Sequence, residues 1–319
     1  MVVQAVSESL KFDQSRFLND IQILSAAINA PYSESTTKKV LSVFSDSFHD
    51  GVVLWRATDR VGDALNYRFY SRRPIDTVTI ASSAGLLSPD VVSNLGRLVT
   101  SWSSLYDGLP EESCDFDAEK GLVKAWVYMR GMRPLGDILS AEGVPESLKQ
   151  HEERFKALEL EKVRHVAVDY QKATVNLYFR AQGPISLQQA TSFNALAGAG
   201  PPSQTQFLEM QEFLNAVGYT FAVTIRVDSG DIERVGYYAL KLPDRATKNW
   251  PVINAQLEKF AQFASSYDRE EMNAVAWSFG GTKSHATGSN CQQRTDHHIT
   301  WFIIEWTISS SGPLQNTPK

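Results

Sequence analysis

The first apolar positions recur at helical spacing. Phe17, Ile21, Leu24 and Ile28 predict one helix, closed by Pro31. Val40, Leu41, Phe44 and Phe48 predict a second, ending at Gly51. From residue 52 the period drops from that of a helix to that of a strand. Segments 52–58 and 64–72 flank a polar turn at 59–63, which reads as a hairpin. Similar turns fall at 117–121, 169–174, 228–231 and 280–289, each between strand-like runs. They recur about every 50–60 residues, near the range that signals a repeated architecture. Helical patterns fill the gaps, as at 145–160 and 252–265. The predicted unit is helix, helix, strand, strand, repeated about five times. Ten antiparallel strands must protect their edges, and closure does so. The expected fold is α+β: a closed ten-stranded antiparallel β-barrel surrounded by helices, with five ααββ repeats and a lumen wide enough for a ligand. One domain is expected over 1–308, followed by a disordered tail at 309–319.

The two faces of each strand differ in kind. Leu65, Tyr67 and Phe69 alternate with Asn66, Arg68, Tyr70 and Arg72. Val123, Ala125 and Val127 oppose Lys124, Trp126 and Tyr128. Val175, Leu177 and Phe179 oppose Lys172, Asn176, Tyr178 and Arg180. Phe221, Val223, Ile225 and Val227 oppose Thr220, Ala222, Thr224 and Arg226. Val235, Tyr237 and Ala239 oppose Arg234, Gly236 and Tyr238. The apolar set is expected to face the helices. The other set mixes cations with large aromatics and is poor in Asp and Glu. Half-solvated sheets also expose Lys, Arg and Tyr to no purpose, but a set spread over so many strands is better explained by a lumen. Guanidinium and ammonium groups bind phosphate oxygens, and aromatic faces attract cations. Such a lumen suits a diphosphate at one end and a carbocation beside aromatic walls.

Composition narrows the field. The chain has 319 residues, 43% hydrophobic and 21% charged, with net charge -5. That argues against a protein built around nucleic acid. No apolar run reaches the length of a membrane span, and the charged first residues do not resemble a signal peptide, so a cytoplasmic location is expected. Two cysteines, Cys114 and Cys291, exclude a disulfide framework. A DDxxD motif is absent. Asp115-Phe-Asp117 reads as a polar hairpin end in preference to a metal-chelating DxD. His297 and His298 point to opposite sides of a strand and make poor co-ligands, even with Asp296 beside them. Gly280-Gly281 lacks the Lys-Ser/Thr of a phosphate-binding loop, and Cys114 lacks a partner His. Trp301, Phe302, Ile303 and Trp306 are expected to cap the barrel.

The most specific stretch is 163–179, VRHVAVDYQKATVNLYF, with support from LWR (54–56), NYRFYSR (66–72), GLVKAWVYM (121–129) and GDIERVGYYALKLP (230–243). Together these resemble the soluble aromatic prenyltransferases of the ABBA family, whose fold is the PT barrel. The likeness is to the enzymes that prenylate 4-hydroxyphenylpyruvate, dihydroxynaphthalenes and phenazines, and it runs from about residue 12 to about residue 300. The resemblance implies that Arg56, Arg68, Lys124, Asn176 and Arg234 contact a prenyl diphosphate, with Lys172 and Arg164 as further basic positions. It implies that Tyr178 and Tyr238 line the prenyl chain and shield the carbocation, and that Tyr70 lies near the aromatic acceptor. Gln292 stands where relatives have a diphosphate-binding Lys, and Arg294, two residues on, is assigned to the acceptor end of the pocket. Magnesium-dependent relatives have Asp at the position of Asn66, and an amide is a poor ligand for a hard cation. No cofactor or metal is therefore expected; Arg56 and Arg68 would neutralise the phosphates instead. A Glu of the 4-hydroxyphenylpyruvate type has no equivalent, which points away from that acceptor. The implied activity is transfer of an isoprenoid, dimethylallyl first, from its diphosphate to an electron-rich aromatic such as a dihydroxynaphthalene or phenol. The implied partners are these small molecules alone, without nucleic acid or membrane, and the implied state is a monomer. Two alternatives stand beside it: a non-catalytic barrel that carries a small aromatic or isoprenoid, and a metal-dependent transferase using Asp115 and Asp117.

Overall fold

A computed structural model describes residues 12–71, 73–106, 110–242, 250–265, 273–280 and 299–310, the last by its backbone. Strands alternate with groups of helices along the chain. Helices α1 (Gln14–Ala27), α2 (Glu34–Val43) and α3 (Ser45–Asp50) precede β1 (Val52–Thr58) and β2 (Asn66–Tyr70). Next come α4 (Thr77–Ser83), α5 (Pro89–Val91), a π-helical turn and α6 (Arg97–Ser103), then β3 (Glu112–Asp117) and β4 (Gly121–Pro134). Helices α7 (Leu135–Ser140), α8 (Glu146–Lys149) and α9 (Glu152–Lys156) lead to β5 (Lys162–Asp169) and β6 (Thr174–Gln182). Then α10 (Leu187–Asn194) and α11 (Gln204–Phe213) lead to β7 (Gly218–Arg226) and β8 (Ile232–Leu242), and α12 (Ala255–Phe263) leads to β9 (Asn273–Gly280) and β10 (Ile299–Ser310). All pairings are antiparallel between neighbours in sequence, and β1 also pairs with β10, with Arg56 in register opposite Glu305. Among the described residues no helix is long and apolar enough to cross a membrane.

The main core lies between the sheet and its helices. Phe17 of α1 stacks on Trp55 of β1 with ring centroids 4.7 Å apart, and Tyr67 stacks on Phe116 at 5.2 Å. The outward faces of β2, β6, β7 and β8 carry the apolar residues that strand alternation predicts. Helices α8 and α9 are pinned to the far turn of the β7–β8 hairpin. Ser147 Oγ donates to the Val227 carbonyl at 2.6 Å, and His151 Nε2 donates to the Gly230 carbonyl at 2.6 Å. Gly230 has φ +73°, and a Cβ there would come 2.4 Å from the Ser147 carbonyl oxygen.

Several local expectations change. The second predicted helix breaks at Phe44, whose φ of -111° and ψ of 28° leave the helical region. The break lets Phe44 and Phe48 both reach the rings of Phe69 and Phe116. The helical pattern at 145–160 resolves into α8 and α9, interrupted where the β7–β8 turn is gripped. In β4 the register shifts between Asp115 and Phe116 of its partner strand, so Phe116 pairs with Leu122. Leu122 therefore enters the helix-facing core in place of Val123, which is half-buried at the bulge. Lys172 belongs to no strand: it sits exposed in the β5–β6 turn. Arg72, Cys291, Gln292, Arg294, Asp296, His297, His298 and the tail lie outside the described residues, as do the side chains of Trp301, Phe302, Ile303 and Trp306.

Candidate active site

The inward faces of β2 to β5 carry a row of alternating charge. Arg68 pairs in register with Asp115, Asp115 with Lys124, and Lys124 with Asp169. All four side chains are buried. A row of buried ions is tolerable only when each has a partner, and the strand register supplies those partners. Arg68 grips Asp115 with two nitrogens: Nε donates to Oδ1, and Nη2 donates to Oδ2 at 2.9 Å. Its Nη1 donates to the Tyr70 hydroxyl at 2.6 Å, and its guanidinium lies 4.3 Å from the centroid of the Trp126 ring. Lys124 Nζ is 3.9 Å from Asp169 Oδ2 and 5.8 Å from the Trp126 ring.

Of the two carboxylates, Asp169 was read only as part of a turn, and Asp115 only as part of a DxD. Asp115 was expected in a hairpin end, but it lies inside the barrel as the anchor of Arg68. Asp117 does cap the β3–β4 turn, accepting from the Glu119 and Lys120 backbone N–H groups at 2.7 and 3.0 Å. Asp169 repeats that arrangement in the β5–β6 turn, accepting from Gln171 and Lys172 at 3.1 and 2.9 Å. With Asp115 held by Arg68 and Asp117 by its turn, the pair does not form a chelate. Asn66 likewise turns its amide to the Ala64 carbonyl, donating at 2.9 Å.

Electrostatic coupling links Arg56, Arg68, Lys124, Lys172 and Arg234. Burial pushes Lys124 down to about 8, against the pull of Asp169 and Asp115, and Arg56 and Arg234 push the same way. Burial acts to raise Asp115, but Arg68, helped by Lys124 and Arg56, outweighs it and holds the carboxyl below its ordinary value. Burial also lowers Arg234, which feels Tyr238, Arg56, Tyr178 and Asp169. From its turn, Lys172 is within electrostatic reach of Arg234, Asp169 and Arg56. Among the described side chains, Arg56, Arg68, Lys124 and Arg234 outnumber Asp115 and Asp169, while Glu305 stands opposite Arg56 in register. This part of the sheet's inner face therefore carries surplus positive charge partly removed from bulk water, where it acts most strongly on an anion.

One layer deeper in register, Trp126, Ala167, Asn176, Thr224 and Arg234 follow one another around the wall, and beyond them come Tyr128, His165, Tyr178, Ala222, Gly236 and Ser278. Trp126, Ala167, Tyr178 and Ala222 form a second apolar cluster inside the barrel, with Tyr238 packed on it. Tyr178 lies 4.6 Å from Trp126 and 5.8 Å from Tyr238, centroid to centroid. Asn176 Nδ2 donates to the Tyr178 hydroxyl at 3.3 Å. Arg164 belongs here because of a bulge: Val163 pairs with Phe179 and His165 with Tyr178, leaving Arg164 as the extra residue. Its guanidinium is 5.9 Å from the Tyr128 ring, so strict alternation misplaces it. The buried atoms Asn176 Oδ1, Trp126 Nε1 and Arg164 Nε have no hydrogen-bond partner among the described residues. Buried polar atoms are costly in that state, which fits a cavity meant to be filled. His165 and Asp169 are inward residues that sequence reasoning passed over, and Asp115 was weighed only as half of a DxD. The signal for His165 was its position two residues before Ala167, on the same face.

A family model described as Aromatic prenyltransferase Orf2 matches residues 12–291. This chain belongs to that family. An aromatic prenyltransferase of Botryotinia fuckeliana (strain B05.10) is 99% identical over 285 residues, 89% of this chain and 92% of the relative. A 4-hydroxyphenylpyruvate 3-dimethylallyltransferase of Streptomyces niveus is 40% identical over 308 residues, 97% of this chain and 93% of the relative. Among solved structures, AnaPT from Neosartorya fischeri superposes with a TM-score of 0.54 at 13% identity, covering 94% of each chain. A 5-dimethylallyl tryptophan synthase from Streptomyces coelicolor, solved with DMASPP and Trp, superposes with a TM-score of 0.53 at 9% identity, covering 95% of this chain and 97% of that one. At such identities the likeness shows the fold alone: this aromatic prenyltransferase family member has the fold of those barrels.

Proposed function

We propose that this family member transfers an isoprenoid, dimethylallyl first, from its diphosphate to an electron-rich aromatic such as a dihydroxynaphthalene or phenol, by electrophilic aromatic substitution and without a metal. The observation that carries the reading is the surplus of Arg56, Arg68, Lys124 and Arg234 beneath the aromatic wall of Trp126, Tyr178 and Tyr238. The cations receive the diphosphate as its bond to the allylic carbon breaks, and Asn176 adds an amide beside them. Lys172 and Arg164 supply charge at the rim of this group. The aromatic faces hold the allylic carbocation away from water. The acceptor ring, placed near Tyr70, then attacks through carbon. The names of the relatives support the donor and the general acceptor class, and the fold of the structural neighbours supports a prenyltransferase barrel of five ααββ repeats in one domain over 1–308. Asn66 in place of a carboxylate, together with the engagement of Asp115 and Asp117 elsewhere, supports magnesium independence.

The test is a product assay by mass spectrometry. Purified protein is incubated with dimethylallyl diphosphate and a panel of naphthalenediols, phenols and indoles, in magnesium or in EDTA. A product one prenyl unit heavier, equally abundant in EDTA, is expected. A product seen only with magnesium overturns the metal-free reading. Tight binding of the diphosphate with no product from any acceptor overturns transfer in favour of a carrier barrel.

A further inference from the structure

His165 is an inward-facing titratable side chain that the diphosphate site does not use. It stands on β5 in register with Tyr128 on one side and Tyr178 on the other. Its ring lies 4.9 Å from the Tyr128 ring and meets Trp126 and Tyr178 edge-on, each at 6.4 Å. The imidazole thus lies among three rings, of which Trp126 and Tyr178 belong to the wall proposed to shield the carbocation. It is half-buried, and its contacts among the described residues are with aromatic rings. A histidine with a purely structural role in an interior ordinarily spends a nitrogen on a backbone carbonyl or a carboxylate, as His151 does with Gly230.

We infer that His165 accepts a hydrogen bond from a hydroxyl on the aromatic acceptor and takes that proton as the new carbon–carbon bond forms. The inference rests on the prenyl-transfer reading of the lumen and names the acceptor class within it: a hydroxyarene with its O–H aimed at β5. The step balances. The ring carbon ortho or para to the hydroxyl gives its π pair to the allylic cation. The O–H bond breaks, its electron pair becomes the carbonyl π bond of a dienone, and the proton goes to the imidazole. The dienone regains aromaticity by shifting its ring hydrogen to oxygen through water, and the imidazolium passes its proton to the departing diphosphate or to solvent.

The surroundings suit that task. Burial, with Arg164 and Arg68 behind it, pushes His165 down to about 3, so the imidazole is neutral throughout the physiological range. A neutral acceptor does not repel the carbocation as an imidazolium would. A phenol hydroxyl is far too weak an acid to lose its proton to such a base at rest. The same hydroxyl becomes strongly acidic once its ring is alkylated, so transfer is favourable only as the reaction proceeds.

The test compares a naphthol with its O-methyl ether, each with dimethylallyl diphosphate, in the wild-type chain and in His165→Leu and His165→Gln. The wild type is expected to prefer the naphthol. His165→Leu is expected to lose that preference through a fall in kcat of roughly 10²-fold for the naphthol. Ether turnover and the KM for dimethylallyl diphosphate should stay near wild type, which a general packing defect would not allow. His165→Gln offers an acceptor oxygen but no base, so it should keep the KM for the naphthol while losing kcat. A His165→Leu enzyme with an unchanged naphthol-to-ether ratio overturns the inference. Should that variant fail to fold, a His165→Gln enzyme with wild-type kcat does the same. No prenylated product from any acceptor in the wild type overturns instead the transferase reading beneath it.

Discussion

Arg68 and Asp115 meet fork to fork inside the barrel, Nη2 donating to Oδ2 at 2.9 Å while Nε holds Oδ1. The pair fixes the plane of the guanidinium, leaving Nη1 on the Tyr70 hydroxyl at 2.6 Å. A bidentate carboxylate is what makes an arginine rigid enough to present its remaining N–H groups in one direction.

Asp115→Asn therefore separates charge from geometry. Removing the negative charge adds to the positive surplus, so the KM for the prenyl diphosphate should hold or fall. Arg68 loses its rigid mount, and kcat should drop by about 10²-fold, the scale of a misplacement near 1 Å. Asp115→Ala should also destabilise the fold by about 3–5 kcal/mol, because a buried guanidinium is left unpaired. Steady-state kinetics and denaturant melts check both, and a parallel rise in KM with unchanged kcat would show that Asp115 does not mount Arg68.

Lys124 gives the site a pH limit. Its ammonium, lowered to about 8 from an unfolded value of 10.5, is charged at neutral pH and loses its proton in the free protein as pH rises through 8. The kcat/KM for the prenyl diphosphate should decline above that pH, while bound diphosphate holds the proton on and lets kcat persist further. The stability term has the opposite sign. Between 8 and 10.5 the unfolded chain binds the proton that the native chain has released, so the cost this group imposes on the native state, full below 8, is relieved as pH rises. Lys124→Met should remove the decline, lower kcat/KM at neutral pH by roughly 10²-fold and flatten the stability profile.

Tyr238 walls the lumen without touching the ion row. Tyr238→Ala should let water reach the carbocation. The expected result is a higher ratio of prenyl alcohol to prenylated product at nearly unchanged diphosphate consumption, read by chromatography of both products. An unchanged ratio would remove Tyr238 from the shield.

Gly230 joins helix α8 to the β7–β8 turn. Gly230→Ala would need a left-handed backbone and would put a methyl 2.4 Å from the Ser147 carbonyl oxygen. A loss of about 1–3 kcal/mol in a denaturant melt is expected, with the pocket kinetics little changed, since the contact lies on the outer face.

The sequence by itself determined the inward side of several strands. Side-chain alternation is a property of each strand alone, so Arg68, Lys124, Trp126, Asn176, Tyr178 and Tyr238 could be placed without knowing what each strand pairs with. The stretch at 163–179 likewise carried the family. Other features depend on how strands separated by dozens of residues meet, and only the tertiary structure decided them. Bulges set by strand matching moved Val123 off the core face and brought Arg164 beside Tyr128. Register turned Asp115 from one half of a DxD into the partner of Arg68, and Asp169 from a turn residue into the neighbour of Lys124. The ring of His165 came to lie among rings from two other strands, its imidazole held neutral by burial and by Arg164 and Arg68. Periodicity gives the direction of a side chain, but its charge state depends on burial and neighbouring ions, which exist only once the sheet has been assembled.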